Sequence, residues 1–232
     1  MGLVIIVEGL IGAGKSTFSA ELGAALGPNT LTLMEPDERG GNPYLGDFYT
    51  DKARWAFSMQ VHLLAARYQM QLAAQWHAMS GRGHAVLDRS FYGDTCFARM
   101  LNRSADITDR EYETYRTLYR AMTASVLLPS VCVHLRVDPE VAAERIRHRI
   151  SEREGRRSEA VIDLGYLTAL DEEIGRTVRV LLDRGVKVLD VPWNQDRADP
   201  VERSWPVANL AAAIGSASGE DPLLQHHTRV IS

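Results

Sequence analysis

Leu3-Val4-Ile5-Ile6-Val7-Glu8-Gly9-Leu10-Ile11-Gly12-Ala13-Gly14-Lys15-Ser16 joins a short apolar run to a glycine-rich turn, and a helix-prone stretch begins near Ser16. Gly9 to Ser16 has the spacing G-x-x-x-x-G-K-[ST] at the turn from a buried strand into a helix, where a phosphate loop has to stand. Glycine lets the backbone fold round a polyphosphate, so that successive N–H groups and the helix N-terminus face the negative charge. Lys15 can then reach the terminal phosphates, and the Ser16 hydroxyl can ligate Mg2+. A glycine-rich turn without a ligand is the plainer alternative, and the flanking strand and helix speak against it. The stretch implies a nucleoside triphosphate as co-substrate and leaves the acceptor open.

Outward from this loop, apolar runs that read as buried parallel strands recur at Leu3–Val7, Thr30–Met34, His84–Asp88, Ser130–Val137 and Val186–Val191. Helical patterns separate them, which predicts an α/β fold: a five-stranded parallel sheet flanked by helices. Lys52 to about Ser80 reads as one long helix with Trp55, Met59, Leu63, Ala66, Met70 and Ala73 at helical spacing. Asp109 to Leu128 reads as another, stopped by Pro129. A third begins with Asp138 as N-cap and Pro139 at its first position. Asp163 to Arg184 is helical again and ends at Gly185. One domain over 1–215 is expected, with a flexible tail over 216–232 in which His226 and His227 are read as solvated.

The chain has 232 residues, 45% hydrophobic and 24% charged, which suits a globular protein with a substantial core. A net charge of −4 gives no global basic field to draw it to nucleic acid. Cys96 and Cys132 have no paired spacing and no histidine cluster, so neither a disulfide framework nor a zinc site is expected. No run approaches the ~18 apolar residues of a membrane span, and no signal precedes the first strand. A cytoplasmic location is expected.

Phosphoryl transfer to a hydroxyl needs held phosphates, a metal, positive charge and a base facing the acceptor. Glu35, in Leu33-Met34-Glu35-Pro36, follows the second strand; strand C-terminal ends face the ligand crevice, so Glu35 is the candidate base. Asp88 and Arg89 close the third strand, where Asp88 can hold Mg2+ through water and Arg89 can neutralise developing charge. Alone, that pair fits a helix N-cap with a salt bridge equally well. The run Arg145-Ile146-Arg147-His148-Arg149-Ile150-Ser151-Glu152-Arg153-Glu154-Gly155-Arg156-Arg157 is densely cationic. Such a run is usually a solvated face; beside a phosphate site it reads as a lid, about 149–160, that excludes water. Asn42 to Gln60 interleaves aromatics with one amide, as nucleobase recognition requires, although a core-facing aromatic stripe has the same spacing.

Together these stretches resemble the deoxynucleoside kinase family, most of all its bacterial deoxyadenosine/deoxyguanosine kinase branch. The resemblance runs from Val4 to about Asp190. It rests on E-G-x-x-G-x-G-K-S at Glu8–Ser16, on Glu35-Pro36, on N-P-x-L-x-x-F-Y-x-D-x-x-x-W-A-F-x-x-Q from Asn42 to Gln60, on Asp88-Arg89-Ser90-x-Tyr92-x-Asp94, and on the arginine-rich run. It implies the phosphate-loop kinase fold and an ATP-dependent transfer of phosphate to the 5′-hydroxyl of a 2′-deoxynucleoside. Purine deoxynucleosides or deoxycytidine would be favoured over thymidine. By the same resemblance, Gly9, Gly12, Ala13, Gly14, Lys15, Ser16 and Thr17 hold ATP, with Arg145 and Arg149 in the lid. Glu35, Arg89 and Lys15 are catalytic; Ser16 and Asp88 hold Mg2+. Tyr49 and Glu154 bind the sugar 3′-hydroxyl, Gln60 the base edge, and Arg67 and Asp94 pair deeper in the base pocket. A homodimer through long helices is implied. Two departures stand out: Ser151 replaces a second lid arginine, with Arg147 and Arg153 as substitutes, and no aromatic follows Glu35-Pro36.

A nucleoside monophosphate kinase of thymidylate kinase type shares the loop, the Asp-Arg pair and the arginine-rich run, but not the Asn42–Gln60 string. A GTP-binding switch needs an N-K-x-D guanine motif, which the chain lacks.

Overall fold

The apolar runs become strands because each can bury both faces in a parallel sheet. In the computed structural model, which describes residues 2–35, 42–152, 162–195, 200–217 and 229–230, β1 (Val4–Gly9) is buried along its whole length. It lies between β3 (Ala85–Asp88) and β4 (Val131–Arg136). β2 (Leu31–Leu33) flanks β3, and β5 (Lys187–Pro192) flanks β4. The five expected strands are present and parallel. A two-residue β6 (Arg229–Val230) adds at the β5 edge, giving the order β2-β3-β1-β4-β5-β6. Ile5, Ile6, Val7, Leu87, Cys132 and Val133 are fully buried at the centre of the core.

Helices pack in two groups. α1 (Lys15–Ala25) meets α8 (Pro200–Ala217); α4 (Asp94–Arg103) meets α3 (Lys52–Met79), α5 (Asp109–Thr123) and α7 (Leu164–Asp183), α3 also meets α5, and α6 (Pro139–Glu152) leans on α7. α2 (Leu45–Thr50) packs on α3 and adds Phe48 to a smaller apolar cluster with Ala56, Met59, Leu63, Leu101 and Ile107. Among the described residues, no helix is long and apolar enough to cross a membrane.

α3 has 28 residues, about 42 Å of helix. Its buried face differs from the expected stripe. Ala73 is exposed, while Gln60, Arg67, Gln71 and Gln75 turn inward beside Ala56, Leu64, Ala74 and Ala78. Long polar side chains tolerate that position because each finds partners. Gln75 Nε2 donates to Ser125 O at 3.0 Å and its Oε1 accepts from Leu127 N at 3.0 Å, while Gln71 Nε2 donates to Leu127 O at 3.3 Å. These bonds hold the chain after α5 in place. They explain why α5 stops at Thr123 instead of reaching Leu128, together with Pro129, which disfavours helix at the residue before it. Pro139 opens α6, and Asp138 Oδ2 accepts from Asn194 Nδ2 at 2.7 Å. Gly185, at φ 88, ends α7.

Candidate active site

The donor loop is built by backbone. Gly12 takes φ 83, and a Cβ there would stand 2.6 Å from Ala142 O on α6, so only glycine fits. Gly14, at φ 86, is the N-cap of α1 and makes no side-chain cap bond, so the first-turn N–H groups of that helix face the loop. Ala13 is fully buried; Ser16 and Thr17 are exposed on that first turn. Lys15 is 7% exposed and donates through Nζ to Leu10 O at 2.6 Å. Burial, helped by Arg89, pulls the Lys15 ammonium down to about 7, against the opposing charges of Asp88, Glu35 and Glu8. Ser16 Oγ donates to Asp88 Oδ2 at 2.5 Å, and Asp88 Oδ1 is buried without a hydrogen-bond partner among the described residues.

The second half of the site is made of side chains from different elements. Glu35, just past β2, is clamped by Arg67 of α3 and by Arg89 Nε at 2.8 Å. Arg67 also grips Asp94 at the start of α4, so one guanidinium joins two carboxylates. Asp94 is fully buried and accepts further from Gln60 Nε2 at 2.8 Å and from the Tyr115 hydroxyl at 2.5 Å. Burial would raise the Glu35 carboxyl, but Arg67, Arg89 and Lys15 outweigh it and hold the group at about 2. Glu35 therefore stays ionised at every working pH. The Phe97 ring lies under both guanidiniums, 4.7 Å from Arg89 Cζ and 5.5 Å from Arg67 Cζ.

Lys15, Asp88, Arg89, Glu35, Arg67, Asp94 and Gln60 thus meet in one crevice at the C-terminal ends of β1, β2 and β3. Tyr49 sits on α2, half-buried, its ring edge-on to Phe48 at 5.2 Å. Arg145 of α6 donates to the carbonyls of Trp193, Asn194 and Gln195 at 2.8, 3.2 and 2.9 Å, which ties it to the segment after β5. Arg149 lies in the last turn of α6. Glu154, Arg153 and most of the expected lid, the stretch after Glu35, and most of the expected tail, His226 and His227 included, lie outside the described residues. Two participants carry no signal in the motifs above, Tyr115 and Phe97, and a third, Glu8, opens the E-G-x-x-G-x-G-K-S stretch without a role assigned to it there. Phe97 could have been found, since it stands three residues after Asp94 on one helix face. Glu8 could too, as a carboxylate inside an apolar strand.

A phosphate loop at a strand-to-helix turn, with a clamped carboxylate beside it in the crevice, defines a phosphoryl-transfer enzyme of the phosphate-loop class. Residues 5–203 match the family profile described as Deoxynucleoside kinase, and the chain belongs to that family. A deoxyadenosine kinase of Dictyostelium discoideum is 36% identical over 194 residues, 84% of this chain and 74% of that one. A deoxyadenosine/deoxycytidine kinase of Bacillus subtilis is 37% identical over 154 residues, 65% of this chain and 67% of that one. The solved deoxyadenosine kinase from M. mycoides with bound dATP has a TM-score of 0.73 at 24% identity, covering 90% of this chain and 99% of that one, which supports the shared fold.

Proposed function

We propose that this chain transfers the γ-phosphate of ATP to the 5′-hydroxyl of a 2′-deoxynucleoside, with purine deoxynucleosides or deoxycytidine favoured over thymidine. The observation that carries the reading is Arg67, which links the carboxylate beside the phosphate loop to Asp94 in the buried polar pocket. Gln60 belongs to that pocket, and its Oε1 is buried with no hydrogen-bond partner among the described residues. Such groups reward a base edge that offers donors and acceptors, and they disfavour the thymine methyl. Phe97 supplies the aromatic face beside them.

In this reading the loop and Lys15 hold the donor phosphates, and Glu35 and Arg89 orient the 5′-hydroxyl for in-line attack. A carboxylate held at about 2 is a weak base. It gains basicity when the hydroxyl replaces one of its two guanidinium partners, and a loose transition state asks for proton loss late. Asp88 and Ser16 offer hard oxygen ligands suited to Mg2+, one of them the unpartnered Asp88 Oδ1. When bound with ATP, Mg2+ would neutralise charge on the phosphates. Tyr49 and Glu154 are proposed at the sugar 3′-hydroxyl, and Arg145 and Arg149 at the lid.

Two wider parts belong to the same proposal. A homodimer through α3 would cover Trp76, 66% exposed, and Met79, 47% exposed, near the helix end; a monomer in sedimentation at micromolar concentration would end that part. A cytoplasmic location suits two free, buried cysteines. The deciding assay measures monophosphate formation from each of the four deoxynucleosides with ATP and Mg2+. Activity on a purine deoxynucleoside or deoxycytidine above that on thymidine is expected. Faster turnover of a deoxynucleotide than of its nucleoside would overturn the reading.

A further inference from the structure

We propose that Glu8 and Ser90 are positioning residues that set the aim of Arg89 on Glu35, an inference that rests on the roles given above to Glu35 and Arg89. Glu8 is the carboxylate within the apolar run of β1, and it is 1% exposed. A charge in a sheet interior is tolerated only where its lone pairs and its field are answered. Ser90 gives the local answer: its Oγ donates to Glu8 Oε1 at 2.5 Å and accepts from Gly93 N at 3.0 Å. One fully buried hydroxyl therefore ties β1 to the turn that follows β3. No side chain can enter between them, because a Cβ on Gly93 would stand 2.5 Å from Glu8 Oε1.

The residue before Ser90 is the one this tie controls. Arg89 takes φ 66, the left-handed region that an arginine adopts only where its surroundings over-determine it. Two bonds from β1 do so here. Arg89 N donates to Val7 O at 3.1 Å, and the next residue is held through Glu8. From that backbone the guanidinium runs to Glu35, with Nε at 2.8 Å and Nη1 3.5 Å from Gly9 O. Burial pushes the Glu8 carboxyl up, opposed first by the Ser90 bond and then by the charges of Arg89, Lys15 and Arg67. Without the Ser90 bond the turn is free to relax toward an ordinary backbone conformation, which swings Arg89 Nε off the carboxylate.

A strut that merely stabilised the fold would cost the same whatever residue stands at 89, and this separates the two roles. The experiment compares kcat and KM for the native enzyme, Ser90→Ala, Arg89→Lys and the double variant, with ATP, Mg2+ and the best deoxynucleoside. Ser90→Ala is expected to lower kcat about tenfold, with both KM values within about twofold. In the Arg89→Lys background, where the aimed Nε bond is already gone, the same change is expected to cost less than about twofold. Equal losses in both backgrounds overturn the positioning role. A kcat unchanged by Arg89→Lys removes Arg89 from the mechanism and the inference with it. A loss on Arg89→Lys with none on Ser90→Ala removes the inference alone. Ser90→Cys, which keeps the shape and weakens the bond, takes the place of Ser90→Ala should that variant not fold.

Discussion

The phosphate loop and the acceptor cluster share one crevice, yet they are built in opposite ways. The loop is a single stretch, Gly9–Ser16, and most of its chemistry is backbone: N–H groups, glycine conformations and one helix end. The cluster draws Glu35, Gln60, Arg67, Arg89, Asp94 and Tyr115 from β2 onward through α5, and most of its chemistry is side chain. The loop can serve any nucleoside triphosphate, because every one presents the same phosphates. The cluster can discriminate, because a buried donor or acceptor left unmatched by the wrong base costs about 1–3 kcal/mol. Donor binding and acceptor choice are therefore separable by mutation, and the cluster is the more fragile of the two.

The sharpest break in that separation is Glu35→Gln. Glutamine keeps the shape but offers one acceptor oxygen where the carboxylate meets Arg67 and Arg89 with two, and it cannot take a proton, so kcat is expected to fall by about 10²–10⁴-fold. ATP binding, measured by titration without acceptor, is expected to stay nearly unchanged. Unaltered turnover would remove Glu35 as the base, and lost ATP binding would show that the two halves are not separable.

A smaller effect is expected where the cluster meets the base. Arg67→Met with Asp94→Ala removes both members of a buried pair, which avoids stranding one charge at a cost of about 3–5 kcal/mol. The ratio of kcat/KM for thymidine to that for the best native substrate is expected to rise by about tenfold or more. Absolute turnover is expected to drop as well, since Arg67 also grips Glu35. An unaltered substrate ranking refutes the pocket assignment.

The same contrast explains which features are legible in the amino-acid sequence. The loop, the five parallel strands, the long helix from Lys52 and the end of α7 at Gly185 are legible, because each depends on local spacing. Gln71 and Gln75 on the buried face of α3 are not. Gln71 and Gln75 turn inward only because the backbone after α5 passes within hydrogen-bond reach, and no periodicity reports that. Tyr115 hides for a related reason. With Tyr112 and Tyr119 it forms an aromatic stripe at helical spacing that reads as plain core, and only the fold brings its hydroxyl to Asp94. Arg67 and Asp94 are legible as a pair through family resemblance, whereas the second arm of Arg67, to Glu35, needs tertiary geometry.

The smallest expected effect is a proton count, and it tests the loop without touching the cluster. Lys15 sits at about 7 in the free protein because burial and Arg89 disfavour its charge. A lysine lowered in the folded state binds fewer protons than in the unfolded chain, so stability of the free protein rises as pH climbs from about 7 toward the ordinary lysine value. A docked polyphosphate reverses the balance and pulls the group back to its charged form. Binding of a non-hydrolysable ATP analogue is therefore expected to take up more protons at pH 8, where Lys15 is largely neutral in the free protein, than at pH 6, where it is largely charged. Isothermal titration in two buffers of different ionisation heat reads this directly. Glu35, held at about 2, does not titrate in this window and adds nothing to the count. Uptake that does not rise from pH 6 to pH 8 would mean that phosphate docking does not charge Lys15.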